Sequence, residues 1–267
     1  MPRRAKDAEA PAAAPTDVAG LAGGPEPFPD ALTAPVEDYL KAVYDLERRG
    51  GAAATNDLAA RLGVAPASVS GMVRRLAEQG LLVYERYRGV HLTAAGRLAA
   101  LRTLRRHRII ESYLATVLGY PWDRVHAEAE RLEHAASDEL IDRMAGALGD
   151  PAFDPHGAPI PTRDGTVDET RHATLADLAA GQSARVVRVS DEDAALLRYL
   201  AELALLPGAA VTLVERAPFG GPLTLDVAGA RPAIGPAVAA QVLVEPLAGD
   251  AAGGGEGALA RRDGGRA

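Results

Sequence analysis

The stretch from Pro35 to Thr93 is cut so often by helix-ending residues that it can hold only short elements. Val36, Tyr39, Leu40, Val43, Tyr44 and Leu46 follow a helical period, and Gly50-Gly51 ends that helix. A second short helix is expected with Thr55 as N-cap to Asp57, Leu58, Ala59 and Leu62, and Gly63-Val64 then turns the chain. A third starts at Pro66, a residue suited to a first helical turn, and runs through Val69, Met72, Val73 and Leu76 to Gly80. LLVYERYRGVHLT follows as two alternating runs joined through Arg88-Gly89, the pattern of a β-hairpin. Helix, turn, helix, hairpin predicts a winged helix-turn-helix DNA-binding domain over residues 34–97.

From Ala94 to about Gly149 the pattern is helical, broken at Gly119-Tyr120-Pro121 and again at Ser137, whose Ser-Asp-Glu start reads as an N-cap with acids in the first turn. Three more helices are predicted, with residues 98–149 as a helical dimerisation and metal-binding domain. Residues 150–173, dense in Pro and Gly, read as a linker. SARVVRVS, AAVTLVE, LTLDVAG and AQVLVEP are β-type runs around one helical stretch, Asp191 to Leu206, which predicts an SH3-like β-barrel over 174–247. The fold class is therefore mainly α with small β. Residues 1–33 and 248–267, rich in Ala, Gly and Pro without apolar period, read as a disordered arm and tail.

Composition narrows the chemistry. The absence of Cys excludes disulfides, zinc ribbons, iron–sulfur clusters and thiol catalysis. No apolar run reaches the roughly 18 residues of a membrane span, and the N-terminus lacks the apolar core of a secretory signal, so no membrane partner and a cytoplasmic location are expected. The net charge of −7 hides an asymmetry: residues 35–110 carry 13 Lys/Arg against 7 Asp/Glu, while the remainder is acidic. A basic block of that kind points to a polyanion.

In the DNA reading, the first turns of the third helix face base edges with Pro66, Ala67, Ser68, Ser70 and Gly71, small residues that suit thymine-methyl contacts and modest base discrimination. Arg74 and Arg75, one turn on, and Arg86 and Arg88 in the wing would contact phosphates and supply most of the affinity. A metal reading comes from spacing. His107 and Glu111 lie four apart, and His126, Glu130, Glu133 and His134 stand at i, i+4, i+7 and i+8, so each set shares one helix face. His91, His156 and His172 read as structural or exposed.

The runs VEDYLKAVYDLE, LAARLGVAPASVSGMVRRLAEQGLLVYERYRGVHLTAAGR, RRHRIIESYL, VHAEAERLEHAASDEL and DPHGAPIP resemble the diphtheria-toxin-repressor family of metal-dependent transcriptional regulators, in its long form with a C-terminal SH3-like domain. The likeness covers residues 35 to 245. It implies a homodimer that binds a palindromic double-stranded DNA operator when loaded with Fe(II) or Mn(II) and represses metal-uptake genes. It also implies a regulatory site of Asp38, Glu130, Glu133 and His134, and a second site of His107, Glu111 and His126 to which the C-terminal domain adds Asp193. Iron-sensing members place Met and Cys where this chain has Asp38 and Glu130. Those hard oxygen donors favour Mn(II), with Fe(II) as the alternative. Short manganese regulators have a further carboxylate where this chain has Lys41.

Other functions compete at this level. Di-metal carboxylate oxidases also use His and Glu on adjacent helices, but as Glu-x-x-His pairs on two helices, which this chain lacks, and it has no His-Glu-x-x-His. The chain is therefore read as no enzyme. A metal-independent winged-helix regulator would leave the ligand-type residues unexplained.

Overall fold

The computed structural model describes residues 32–85 and 89–247. The predicted arm and tail fall outside the described residues apart from Leu32 and Thr33, as do Arg86 and Arg88 at the hairpin tip.

Helix α1 spans Ala34–Gly50 and buries Val36, Tyr39, Leu40, Val43 and Tyr44. Helix α2 spans Thr55–Leu62, with Ala54 rather than Thr55 at the cap position and no side chain capping it. Gly63 ends α2 at φ 65°, a left-handed value that costs glycine little, and its N–H donates to the Ala59 carbonyl. That bend directs the chain into α3, Pro66–Glu78, which buries Val69, Val73 and Leu76. Strands β1, Leu82–Glu85, and β2, Gly89–Leu92, pair antiparallel with Leu82 opposite Leu92. The helix-turn-helix and its hairpin thus share a core in which Leu40, Leu58, Val69, Leu76 and Val90 are fully buried. Each such side chain contributes about 1.5–3 kcal/mol relative to exposure.

Thr93 caps α4, Ala94–Thr116, by accepting from the Gly96 N–H. Helices α5, Val125–Leu132, and α6, Asp138–Ala147, follow, and Ser137 caps α6 by accepting from Leu140. Ile109, Ile110, Leu114, Val125, Ala129, Ile141, Ala145 and Ile160 form their core.

Residue Ile160 belongs to the stretch expected to be a linker. Instead, residues 153–160 fold back on α4: Phe153 bridges Pro159, and Asp154, His156 and Ala158 are buried. The Pro and Gly density has a packing cause. Gly157 sits at φ 85°, and a Cβ there would lie 2.0 Å from the Val187 carbonyl oxygen, so this tight turn against the neighbouring strand admits only glycine.

The C-terminal part is one antiparallel sheet in the order β3-β8-β4-β5-β6-β7. Its strands are β3 Ala173–Thr174, β4 Ser183–Val189, β5 Ala210–Arg216, β6 Leu223–Asp226, β7 Ala233–Ile234 and β8 Val242–Pro246. Helix α7, Ala194–Glu202, packs Leu197 and Leu200 into its core, and a short α8, Pro236–Ala239, lies near β7. Irregular register at Val186/Arg188 and Leu213/Glu215 bends the two long strands. The expected barrel is not closed: β3 and β7, two residues each, are the edges and do not pair with one another. Strands that short offer too few ladder bonds to seal a barrel, and the sheet stays open. The fold is mixed, helical in its first two parts with a β-sheet domain at the C-terminal end.

Candidate metal centres and DNA-facing helix

Four groups of carboxylates and imidazoles converge where α1, α4, α5, the 153–160 turn and the β4–α7 connection meet. The first joins Asp38 of α1 to Glu133 and His134, just past α5. His134 Nε2 lies 2.9 Å from Asp38 Oδ1 and 3.5 Å from Glu133 Oε1. Its Nδ1 lies 2.6 Å from Glu37 Oε2, which fixes the ring so that Nε2 points at Asp38. Sequence reasoning missed Glu37; its place beside Asp38 was the only signal. Burial holds the Asp38 carboxyl above its usual range, although His134 and Lys41 act against the shift.

Glu130 was expected beside Asp38 and His134. It groups instead with His107 and Glu133, and Lys41 of α1 reaches both carboxylates, its Nζ 2.7 Å from Glu130 Oε1 and 2.6 Å from Glu133 Oε1. Burial alone would lower the Lys41 pKa, but the two carboxylates raise it above the ordinary lysine value. An ammonium thus holds the carboxylate pair that the sequence assigned to metal.

The third group is His107, Glu111, His126 and Asp191. Glu111 Oε1 lies 3.0 Å from His107 Nε2 and 3.2 Å from His126 Nδ1, and those nitrogens are 3.1 Å apart. Asp191 Oδ2 stands 3.8 Å from His126 Nδ1. His107 joins the two halves of the site, since its Nδ1 is 2.5 Å from Glu133 Oε2. Burial disfavours the imidazolium of His107, yet Glu111 and Glu133 push its pKa up to about 10. Burial likewise disfavours the Glu111 carboxylate, but His107 and His126 hold its carboxyl well below the usual range.

Asp193, expected as the C-terminal domain's ligand, lies in none of these groups among the described residues. Its Oδ1 accepts from Ala195 N–H at 2.8 Å and Leu196 N–H at 3.4 Å, which makes it the N-cap of α7. Asp191, two residues earlier and before the helix, is the one turned toward His126. The fourth group, Glu111, Asp154, His156 and Asp191, was not anticipated, although DPHGAPIP contains two of its members. Burial and Glu111 push the Asp154 carboxyl up to about 6, against the pull of Arg108.

These residues suit a divalent cation. Glu111 Oε2, Asp154 Oδ2 and His156 Nδ1 are buried without a hydrogen-bond partner, and the donors are carboxylate and imidazole throughout.

On the face of α3 expected to meet DNA, Pro66, Ala67, Ser68, Ser70 and Gly71 are exposed, as are Arg74 and Arg75, while Val69, Val73 and Leu76 anchor the opposite face. Ser70 Oγ donates to the Pro66 carbonyl at 3.1 Å, which leaves its oxygen to act as an acceptor. Among the described residues, no helix is long and apolar enough to cross a membrane.

Comparison with known proteins is consistent along the chain. Residues 31–90 match the iron dependent repressor N-terminal DNA binding domain, residues 93–162 the iron dependent repressor metal binding and dimerisation domain, and residues 173–246 the FeoA domain. The iron-dependent repressor IdeR of Mycobacterium tuberculosis is 36% identical over 205 residues, covering 72% of this chain and 88% of that protein. The HTH-type transcriptional regulator MntR of Lysinibacillus sphaericus is 38% identical over 113 residues, 42% of this chain and 81% of that protein. A solved manganese-dependent transcriptional repressor in complex with manganese superposes with a TM-score of 0.74 at 38% identity, covering 79% of this chain and all of that one. With its ligand-type side chains between a helix-turn-helix and a helical core, and with relatives of this closeness over most of its length, the chain belongs to the iron-dependent repressor family of metal-dependent DNA-binding regulators.

Proposed function

We propose that this chain is a homodimeric, Mn(II)-responsive DNA-binding repressor of metal-uptake genes, with Fe(II) as the alternative effector. One observation carries the reading: metal-type donors tie α1, the first helix of the DNA-binding part, to α4 and α5. Asp38, Glu130, Glu133 and His134 would hold one ion, and His107, Glu111, His126 and Asp191 another. A bound divalent ion supplies the positive charge that lets these carboxylates share a small volume.

The chain's own residues do the rest. Glu37 orients His134, and Asp38 moves with α1, so drawing Asp38 onto Glu133 and His134 fixes α1 and the α2–α3 pair packed on it. In a dimer this selects one separation of the two α3 helices, the one that fits half-sites a helical turn apart. Exposed α3 residues would read base edges, while Arg74 and Arg75, with Arg86 and Arg88 in the wing, would meet phosphates. Dimerisation is supported by the exposed apolar side chains Val117, Leu118, Tyr120, Leu132 and Leu140 on the helical part. The bent C-terminal sheet is read as SH3-like, contributing Asp191 from its β4–α7 connection.

Mn(II) is favoured over a softer effector because the donors are oxygen and imidazole, with no sulfur among them. The test is operator selection from random DNA followed by fluorescence anisotropy with Mn(II), with anaerobic Fe(II), and with EDTA. Tight binding only with metal is expected, strongest with Mn(II). Equal affinity in EDTA would overturn the reading.

A further inference from the structure

Resting on that metal-dependent reading, we propose that Glu111, Asp154, His156 and Asp191 form an additional divalent-cation position, sharing Glu111 and Asp191 with the His107–Glu111–His126–Asp191 set as a carboxylate-bridged pair. The 153–160 turn builds it. Asp154 Oδ1 accepts from the N–H groups of His156 and Ala158, both at 2.9 Å, so this oxygen holds the turn. Oδ2 is left without a hydrogen-bond partner, and the nearest cation, Arg108 Nε, stands 3.5 Å away.

The imidazole of His156 is oriented from behind. Its Nε2 lies 2.8 Å from the Trp122 carbonyl oxygen, which can only accept, so Nε2 carries the hydrogen. In the neutral ring Nδ1 therefore presents its lone pair, and it does so 3.9 Å from Glu111 Oε1 with no partner of its own. A carbonyl holding the far nitrogen of a ligand histidine is the usual device for presenting the near one to a metal. Trp122 also lies against the ring, with centroids 5.5 Å apart.

Glu111 supplies the bridge. Its Oε1 is engaged by His107 and His126, whereas Oε2 is buried and unpartnered. The side chains of Glu111, Asp154 and His156 are all fully buried, and an acceptor facing acceptors in such a place is costly unless a cation or proton donor lies between them. Asp191, partly exposed, gives the position its opening to solvent. Three carboxylates and one imidazole form a hard donor set for Mn(II) or Fe(II). Two cations joined by shared carboxylates sit about 3.5–4 Å apart in proteins that use such pairs.

The experiment counts Mn(II) per chain by calorimetry and by the electron paramagnetic resonance signal of free Mn(II), using the full chain stripped with EDTA. Asp154→Asn keeps the Oδ1 acceptor and replaces only the unpartnered oxygen; His156→Gln removes the imidazole; His126→Gln removes a donor that belongs to the neighbouring set and not to the proposed position. The wild type is expected to take up one more Mn(II) than Asp154→Asn or His156→Gln, and His126→Gln to keep that equivalent. Equal stoichiometry and affinity in wild type, Asp154→Asn and His156→Gln would overturn the additional position while leaving the metal-dependent reading intact. No Mn(II) uptake by any chain would overturn both. Should the variants fold poorly, Mn(II) anomalous scattering from wild-type crystals decides the matter: a peak bonded to His156 Nδ1 supports the position, and peaks confined to the other donor sets refute it.

Discussion

Lys41→Met removes the one ammonium that, among the described residues, reaches into the carboxylates between α1 and α5. In the wild type Nζ pairs with Glu133, whose side chain has no exposure, and with Glu130, whose side chain is 40% exposed. Stripping one partner from a buried ion pair costs about 3–5 kcal/mol, because it leaves a charge without compensation. The Glu130 pair, open to water, adds under about 1 kcal/mol. Glu133 keeps His107 Nδ1 on its other oxygen, which pulls the total toward the lower end, about 3 kcal/mol. Methionine preserves the length of the side chain, so little packing is lost with the charge. At roughly 2–4 °C per kcal/mol for a protein of this size, the metal-free variant should melt about 6–12 °C below wild type. Saturating Mn(II) should recover most of that loss, since a divalent ion then supplies the charge that the ammonium gave, and the variant should bind Mn(II) more tightly than wild type. Differential scanning calorimetry of EDTA-treated protein, with and without Mn(II), measures both effects. A metal-free variant within about 2 °C of wild type, or one that gains no more than wild type from Mn(II), would refute the idea that Lys41 occupies charge space the metal also seeks.

Three further outcomes are expected. His107 is held up at about 10 in the metal-free fold, above its unfolded value of 6.5, so the stability it contributes is complete below about pH 6.5 and is lost as pH rises through about 10. A ligand imidazole must give up that proton, so Mn(II) binding near neutral pH should release it; calorimetry in buffers of different ionisation enthalpy that finds no proton release would contradict this. Replacing Arg74 and Arg75 with Ala should flatten the log-log salt dependence of operator binding by about 0.9 for each phosphate that the protein then leaves unneutralised, with Mn(II) stoichiometry unchanged; an unaltered slope would remove both residues from the DNA interface. Glu192→Gln breaks pairs with the exposed Arg49 and the partly buried Arg61 from a carboxylate that is itself 43% exposed, so chemical denaturation should register a loss of about 1 kcal/mol.

The elements were legible where glycine and proline punctuate them. Gly63 and Pro66 framed the turn between α2 and α3, and Ser137 marked the start of α6. That His107 and Glu111 share one face of α4, and His126 and Glu130 one face of α5, was legible because a four-residue spacing fixes a common face whatever packs on it. Lys41 was visible as a substitution, but its reach to Glu130 and Glu133 depends on how α1 lies against α5, which no local pattern encodes. The turn at 153–160 misled because a buried tight turn and a free linker require the same residues; only the approach of the Val187 carbonyl to Gly157 distinguishes them. The unpaired ends of the C-terminal sheet were equally hidden, since β3 and β7 are too short to leave an alternation in the sequence.

The run Asp191-Glu192-Asp193 shows why choosing among adjacent acids was beyond sequence reasoning, and what their separation achieves. Asp193 is spent on the first turn of α7, satisfying N–H groups that would otherwise lack partners. That fixes the connection rigidly to the C-terminal sheet, since α7 buries Leu197 and Leu200 in the sheet's core. One residue back, Glu192 Oε1 reaches Arg49 at the end of α1 and Arg61 of α2, and Arg61 in turn pairs with Asp45 of α1. One residue further back, Asp191 faces His126 of α5. Three consecutive acids therefore serve three neighbours: their own domain, the DNA-binding helices and the metal-type donors. Asp191 and Glu192 are adjacent on one short stretch of backbone, so the C-terminal domain meets the DNA-binding helices and the metal-type donors at the same point. Ion pairs of a side chain as exposed as Glu192 add little to stability, so the connection is held chiefly by the Asp193 cap and by the burial of Leu197 and Leu200.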